Sequence, residues 1–199
     1  MPFFWMVAER IPTVKILSIV VLLFLAVIAY GMTAQPVTAQ QQHFVASSNA
    51  STMTVASSPT ITAHFIDIVL CTAHSPACGT GQSLYNDGVQ FGIDPVFALA
   101  FFKHESSYGK YGIAHDNLGL GNIRCSDGYQ CKHGFRAYLS WQAGYLDWFQ
   151  LIRYYVDTWH KSTVDAIVPT YAPSTENDTQ GYISAIETAV QEWRSEVVR

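Results

Sequence analysis

The stretch that decides the fold is GIDPVFALAFFKHESSYGKYG, residues 92–112. Asp94 suits the N-cap of a helix, and Pro95 suits its first position, where a missing N–H costs nothing. Every residue from 96 to 102 is apolar, which is typical of a helix that is buried on all sides. Gly109 is expected to end this helix. The stretch therefore predicts a buried central helix whose end is charged and polar.

Glu105 falls in the last turn of this predicted helix. Low polarity and the negative end of the helix dipole both disfavour a carboxylate, so they raise the pKa of its side chain. Lys103 and His104 oppose this rise, because nearby positive charge stabilises the ionised form. A carboxyl group that keeps its proton can donate it to a leaving oxygen, as glycosidic cleavage requires. Glu105 is thus a candidate general acid; the alternative is a solvent-facing glutamate without a catalytic role.

The flanking sequence predicts further helices and little sheet. Apolar residues recur every three or four positions in several segments. The predicted helices cover 61–70, 82–91, a long stretch from residue 140, 163–168 (ended by Pro169) and about 180–197. Residues 112–135 are rich in glycine and polar residues, with short strands possible near 121–124 and 134–138. The predicted fold class is mainly α, an α+β arrangement with a small irregular or β insertion.

Residues 1–34 have the layout of an export signal or a membrane anchor. Residues 16–30 carry no charge, and Arg10 and Lys15 precede them. A basic start before an apolar core is typical of a signal peptide, and VTA at 37–39 fits a cleavage site. An uncleaved single-pass anchor is favoured over a cleaved signal peptide, since the apolar stretch runs on to nearly the length of about 17 residues that a spanning helix needs. Both interpretations place the remaining chain outside the cytoplasm, because basic residues favour the inner side.

Residues 35–60 contain no Asp, Glu, Lys or Arg and are rich in Gln, Ser, Thr and Ala. No helical or strand period persists in them, so they are predicted to form a flexible linker. The folded domain is then predicted to cover residues 61–199, where acidic residues outnumber basic ones. A net negative charge gives no support for nucleic acid as a partner.

Four cysteines, Cys71, Cys78, Cys125 and Cys131, lie in the predicted domain. An even number outside the cytoplasm favours two disulfides. Proximity in sequence suggests Cys71–Cys78 and Cys125–Cys131, although three pairings are possible. A zinc site with a nearby histidine is the competing interpretation, but the spacings do not match the usual CxxC knuckles. We therefore expect disulfides and neither a metal nor another cofactor.

Two other hydrolase signatures are incomplete in this chain. His104 and Glu105 begin like a zinc-protease motif, but that motif needs a second histidine four positions after the first, where the chain has Tyr108. The Gly-x-Ser-x-Gly elbow of serine hydrolases does not occur in the sequence.

Several short motifs follow one another in order along the predicted domain. They are Gly92-Ile93-Asp94-Pro95, AFFKHES at 100–106, Tyr108-Gly109, Asn117-Leu118-Gly119, Gly121-Asn122-Ile123, Gly134-Phe135, Tyr171-Ala172-Pro173 and Glu176-Asn177. With this set, residues 61–197 resemble the glucosaminidase branch of the lysozyme-like superfamily (the mannosyl-glycoprotein endo-β-N-acetylglucosaminidase-like domain). Members of that branch cleave N-acetylglucosaminyl linkages in bacterial peptidoglycan. The resemblance implies a lysozyme-like fold and an exported hydrolase that acts on peptidoglycan glycan strands.

The resemblance also implies roles for individual residues. The glutamate that closes the buried helix is the family's essential acid, which here is Glu105. Tyr171 matches an aromatic position near the cleft, where it would stabilise the reacting sugar; its alternative is a core position. Residues 116–124 would form the other wall of the sugar groove. The candidate substrate-binding residues are Asn117, Asn122, Tyr108 and Asp116. The alternative for the two asparagines is a role in tight turns.

The sequence does not identify a second catalytic carboxylate. Asp147 lies off the apolar stripe of its helix and is expected to face water. Asp116 and Glu176 are further candidates, and Asp178 can instead cap the last helix. Direct attack by water, assistance by the substrate's N-acetyl group and formation of an anhydro-sugar all stay open. Two other function classes also stay open: an inactive module that binds cell-wall glycan, and a cell-wall amidase.

Overall fold

The structure is a computed structural model that describes residues 53–197. The predicted export signal or anchor over residues 1–34 lies outside the described residues, and so does the first part of the predicted linker. Within the described part of the chain, no helix is both long enough and apolar enough to cross a membrane.

The described residues form seven helices and one short hairpin. In chain order these are α1 (Ala63–Thr72), α2 (Gly81–Phe91), α3 (Pro95–Ser106), α4 (Gly112–Asn117), β1 (Cys131–Lys132), β2 (Phe135–Arg136), α5 (Trp141–Trp159), α6 (Val164–Tyr171) and α7 (Thr179–Val197). The strands pair antiparallel, with Cys131 opposite Arg136. The strand predicted near 121–124 is reduced to a single bridge between Arg124 and Phe135. The predicted mainly α fold class is confirmed.

Helix α3 is the buried central helix that the sequence predicts. The Asp94 side chain accepts the N–H of Val96 at 3.1 Å, and Pro95 takes the first helical position. All eight residues from Pro95 to Phe102 are buried. Because α3 packs against α2, α5 and α7, its side chains form the centre of the hydrophobic core.

The C-terminal end of α3 differs from the prediction. We expected Gly109 to end the helix, but its last helical residue is Ser106. Ser107 and Tyr108 then adopt left-handed φ angles of 49° and 61°. Non-glycine residues in this region are strained and persist where surrounding contacts hold them. One such contact is the Ser75 hydroxyl, which donates to the Tyr108 carbonyl at 2.7 Å.

Residues 53–60 belong to the folded domain, so the predicted linker boundary at residue 60 is wrong. Val55 is only 1% exposed. Its N–H donates to the Ser162 carbonyl at 2.9 Å, and its carbonyl accepts the Asp94 N–H at 3.0 Å. The segment thus packs on the N-terminal end of α3. The composition of this segment is that of a tether, but a buried valine and hydrogen bonds to distant residues hold it in place.

The cysteines form the two predicted pairs. Cys71 and Cys78 have a Cα–Cα distance of 4.7 Å, and Cys125 and Cys131 have one of 5.8 Å. Both distances lie in the usual range for disulfides. None of the four cysteines is free. The first bridge closes the loop after α1, and the second closes the loop that leads into the hairpin.

Reduction of both disulfides is expected to lower the free energy of unfolding by about 2 kcal/mol for each bridge, because each closes a short loop in the unfolded chain. Denaturant unfolding with and without a phosphine reductant measures this loss. A variant with Cys125→Ser and Cys131→Ser serves as control, since reductant should cost it only the contribution of the remaining bridge. Equal unfolding midpoints with and without reductant would contradict the pairing.

Candidate functional site

A groove of about 490 Å³ lies at the C-terminal end of α3. Its lining residues are Glu105, Asn122, Arg124, Phe135, Thr170, Tyr171, Ala172, Pro173, Glu176 and Asn177. One wall comes from the segment between α4 and β2, and the other comes from the end of α6 and the loop to α7. This volume is within the usual range for small-molecule sites, about 300–1,000 Å³.

A second hollow, of about 580 Å³, lies between α3 and α7. It is lined mostly by small side chains together with Lys103, His104 and Glu192. All three of these larger residues are exposed, so the hollow contains no buried carboxyl group. The groove at Glu105 is therefore the better candidate for a chemical site, although it is the smaller of the two.

Glu105 is half-buried in the floor of the groove. Its Oε1 atom accepts a hydrogen bond from the Tyr182 hydroxyl at 2.8 Å. Burial raises the pKa of the Glu105 carboxyl above its ordinary value, while the hydrogen bond from Tyr182, the nearby Asn122 amide and the positive charge of Arg124 act in the opposite direction. Burial is the largest of these effects. With Tyr182 donating to Oε1, the proton of the neutral acid belongs on Oε2, where it is free to be transferred.

Tyr182 is a site residue that the sequence analysis missed. It lies on α7, is 3% exposed, and packs against the rings of Phe101 and His104 at 5.6 and 4.0 Å. The sequence gives one indication of its burial, because Tyr182 precedes Ile186 by four residues and so falls on the apolar face of α7. A phenol on such a face needs a buried partner for its hydroxyl. Sequence alone could not show that the partner is Glu105, 77 positions away.

Asn122 lies in the groove wall and also in a tight turn, with a left-handed φ of 46°. Its side-chain amide donates to the main-chain carbonyl of Glu105 at 3.0 Å. The carbonyls of the last helical turn lack partners within the helix, so this bond satisfies one of them and ties the groove wall to the end of α3. Both the substrate-binding and the turn interpretations of Asn122 are compatible with this position.

Tyr171 is the last residue of α6 and lines the groove. The prediction that Pro169 ends this helix is wrong, since the helix continues through it to Tyr171. The Tyr171 hydroxyl donates to the Gly121 carbonyl, and the ring meets Phe101 edge-on at 5.2 Å. Burial raises the pKa of Tyr171 well above 10. The hydroxyl therefore stays neutral and joins the two walls of the groove.

Three candidate substrate-binding residues do not line the groove. Asn117 is 2% exposed, and its amide donates to the Lys132 carbonyl at 2.9 Å, so it holds the hairpin. Tyr108 is 6% exposed and packs in the core. The side chain of Asp116 is 55% exposed and lies beside His115, on the surface of α4. The family resemblance implied a common cleft for these residues, but the turn after α3 and the helix α4 place them elsewhere.

Asp147 does not face water, contrary to our expectation. It is 7% exposed and accepts two hydrogen bonds from Arg136, at 2.9 and 3.0 Å. The Tyr138 hydroxyl donates to the same carboxylate at 2.5 Å. The residue lies off the apolar stripe of α5 because it binds the hairpin, and it thereby anchors the insertion to the helical core.

Glu176 is the second carboxyl group among the residues that line the groove. It forms an ion pair with Arg124 on the opposite wall. Asp178, by contrast, accepts the N–H of Gly181 at 3.0 Å and so caps α7. Of the candidates for a second carboxylate, Glu176 is therefore the one that the fold brings to Glu105.

No protein-family model matches this chain, and no curated protein sequence matches it significantly. Across residues 53–197, no three His, Cys, Asp or Glu side chains come together as a metal site. The chemistry of the groove is therefore interpreted from its own geometry.

A methyl group at Gly121 is expected to damage the groove. The Cβ of Gly121→Ala would lie 2.6 Å from Trp148 Cδ1 and 2.8 Å from the Tyr171 hydroxyl oxygen. Overpacking of this kind destabilises a protein by about 1–3 kcal/mol. Thermal unfolding measures the expected loss of stability.

Gly79→Ala is the matched control. Gly79 has a positive φ of 88° but no atom near the added methyl group, so this variant carries backbone strain without any collision at the groove. It is expected to lose only the stability that this backbone strain costs. Unchanged stability of Gly121→Ala would contradict the packing described here.

Proposed function

We propose that this domain is a glycoside hydrolase that cleaves β-1,4 N-acetylglucosaminyl bonds in peptidoglycan, with Glu105 as its general acid. The observation that carries the proposal is the half-buried carboxyl of Glu105 at the end of an apolar helix, in the floor of a groove. Burial raises its pKa, which favours the protonated form that glycosidic cleavage needs.

In the proposed reaction, Oε2 of Glu105 gives its proton to the glycosidic oxygen as the bond from that oxygen to the anomeric carbon breaks. The electron pair of the bond leaves with the oxygen. Tyr182, which donates to Oε1 at 2.8 Å, then stabilises the carboxylate that forms, since hydrogen bonds to charged groups are the stronger ones. Addition of water to the sugar cation completes hydrolysis, and its released proton restores Glu105.

The proposed fold is lysozyme-like, and the proposed location is outside the cytoplasm. A helical domain whose small insertion forms one groove wall is compatible with a lysozyme-like fold. Two disulfide pairs favour an oxidising compartment outside the cytoplasm. The protein is thus proposed to be exported, either secreted or held at the membrane by its N-terminal segment. Its proposed partner is the glycan strand of the cell wall.

A glycan-binding module without catalysis is the second candidate. It is favoured by the ion pair of Glu176 with Arg124, which leaves Glu105 as the lining carboxyl without a salt-bridge partner within the described residues. An enzyme without a second active carboxylate needs another route for the attack by water. The domain would then hold the strand without cutting it.

Incubation of the purified protein with peptidoglycan tests these candidates. Release of new reducing ends, with disaccharide-containing fragments in the mass spectrum, is the result expected of the hydrolase. Retention of the protein on the wall without release would indicate the binding module. Fragments that differ by a cleaved peptide stem, with intact glycan, would indicate the amidase and contradict the proposal.

A further inference from the structure

We infer that Arg124 makes the site selective for glycans that carry a carboxylate near the cleaved bond, and that Glu176 takes the place of this carboxylate in the free protein. The inference rests on the proposed function and names a narrower class of substrate. Peptide-substituted glycan strands belong to this class through the free carboxylates of their peptides, whereas unsubstituted β-1,4 N-acetylglucosamine oligomers do not.

The positions of the two residues support this inference. Arg124 and Glu176 line the same groove as Glu105 and reach across it from opposite walls, 52 positions apart in the chain. Arg124 is the one cationic side chain among the described residues that line this groove. An anionic group that enters the groove therefore has one fixed positive charge to meet, and that charge already holds a carboxylate.

The chemistry of Arg124 suits a carboxylate ligand. A guanidinium group offers several N–H donors in a planar fork, which matches both oxygens of a carboxylate. Arg124 donates to Glu176 through Nη2. Its guanidinium carbon lies 5.4 Å from the centre of the Phe135 ring, on the same wall. Contact of this kind restrains the plane of the guanidinium and so orients the remaining donors.

The ion pair is suited to exchange. The side chains of Arg124 and Glu176 are 68% and 55% exposed, and pairs so well solvated add little to stability. A carboxylate on a bound glycan is held near Arg124 by the rest of the strand, so it can displace Glu176 at small cost. Glu176 thus competes with the substrate, and its removal should strengthen binding of acidic glycans.

The test compares two substrates with the full-length protein: soluble peptidoglycan fragments that keep their peptides, and a neutral oligomer of β-1,4 N-acetylglucosamine. The readout is the ratio of kcat/KM for the acidic substrate to that for the neutral one. Arg124→Gln is expected to lower this ratio by about tenfold, as for the loss of a charged hydrogen bond. Glu176→Gln is expected to raise it. Arg153→Gln, which breaks the ion pair with Asp157 on α5, is the control and should leave it unchanged.

Two outcomes would overturn the inference: an equal loss on both substrates in Arg124→Gln, or a lower ratio in Glu176→Gln. Binding by the Glu105→Gln protein separates this failure from failure of the proposed function. Suppose that the wild type cleaves neither glycan, that Glu105→Gln binds the acidic one, and that adding Arg124→Gln to this variant lowers the affinity by about tenfold. The hydrolase proposal then fails, and the selectivity of Arg124 stands. If both glycans are cleaved and Arg124→Gln changes neither rate, the hydrolase proposal stands and the selectivity of Arg124 fails.

Discussion

Glu105→Gln is expected to lower the rate of glycan cleavage by about 10²–10⁴-fold, the usual loss when a general acid is removed. Glutamine has nearly the shape of the neutral acid and can still accept the Tyr182 hydroxyl, so the fold and the groove should persist. It has no proton to give to the leaving oxygen. Release of reducing ends from peptidoglycan, followed over time, measures the loss.

Glu196→Gln is the matched control, because Glu196 lies exposed on α7 and does not line the groove. Its rate should equal that of the wild type. Full turnover by Glu105→Gln would show that Glu105 is not the general acid.

Glu105→Gln is also expected to stabilise the protein at neutral pH. The ordinary pKa of a glutamate is 4.5, and burial raises that of Glu105 in the folded state. Below the ordinary value both the folded and unfolded states hold the proton, so Glu105 costs nothing. As the pH rises towards the folded pKa, the unfolded state loses its proton first, and stability falls. Melting temperatures of Glu105→Gln should therefore exceed those of the wild type at about pH 8 and approach them at about pH 4.

Tyr182→Phe is expected to lower kcat by about 10-fold or more, as for the loss of a hydrogen bond to a charged group. The ring stays in place, but the carboxylate formed when Glu105 gives up its proton loses its donor. Because the hydrogen bond from Tyr182 holds the Glu105 pKa down, its loss raises that pKa further. The decline of activity at high pH should then move to higher pH, and a pH profile of kcat measures the shift.

If the role of Tyr182 were only structural, Tyr182→Phe would lower the stability of the protein without shifting its pH profile. KM should change little, since Tyr182 is 3% exposed and does not line the groove. Tyr154→Phe on α5 is the control, as Tyr154 is 47% exposed and lies outside the groove. A pH profile of Tyr182→Phe identical to that of the wild type would contradict the role given to its hydroxyl.

Local patterns predicted the features that depend on neighbours in the chain. The apolar run 96–102 with its cap and proline predicted α3, and with it the position of Glu105 at the end of a buried helix. The two short cysteine spacings predicted both disulfide pairs. The resemblance placed Tyr171 and Asn122 near the cleft, and both line the groove.

Features that depend on distant partners could not be predicted. Asp147 looks solvent-facing on its helix because the Arg136 that buries it belongs to the hairpin. Asn117 resembles a ligand for a sugar because its carbonyl partner on Lys132 is invisible in sequence. Tyr182 stands 77 positions from Glu105. In each case a polar group is explained by hydrogen bonds to residues that only the folded chain brings together.

The central claim is that burial at the end of α3 keeps the proton on Glu105. Titration of the ¹³C-labelled Glu105 carboxyl by NMR, with Glu105→Gln to assign its signal, tests this claim most directly. The predicted result is a midpoint above 4.5, the ordinary value for glutamate, and a further rise in Tyr182→Phe. A midpoint at or below that value would mean that Glu105 is ionised under working conditions, and it would contradict its role as the acid.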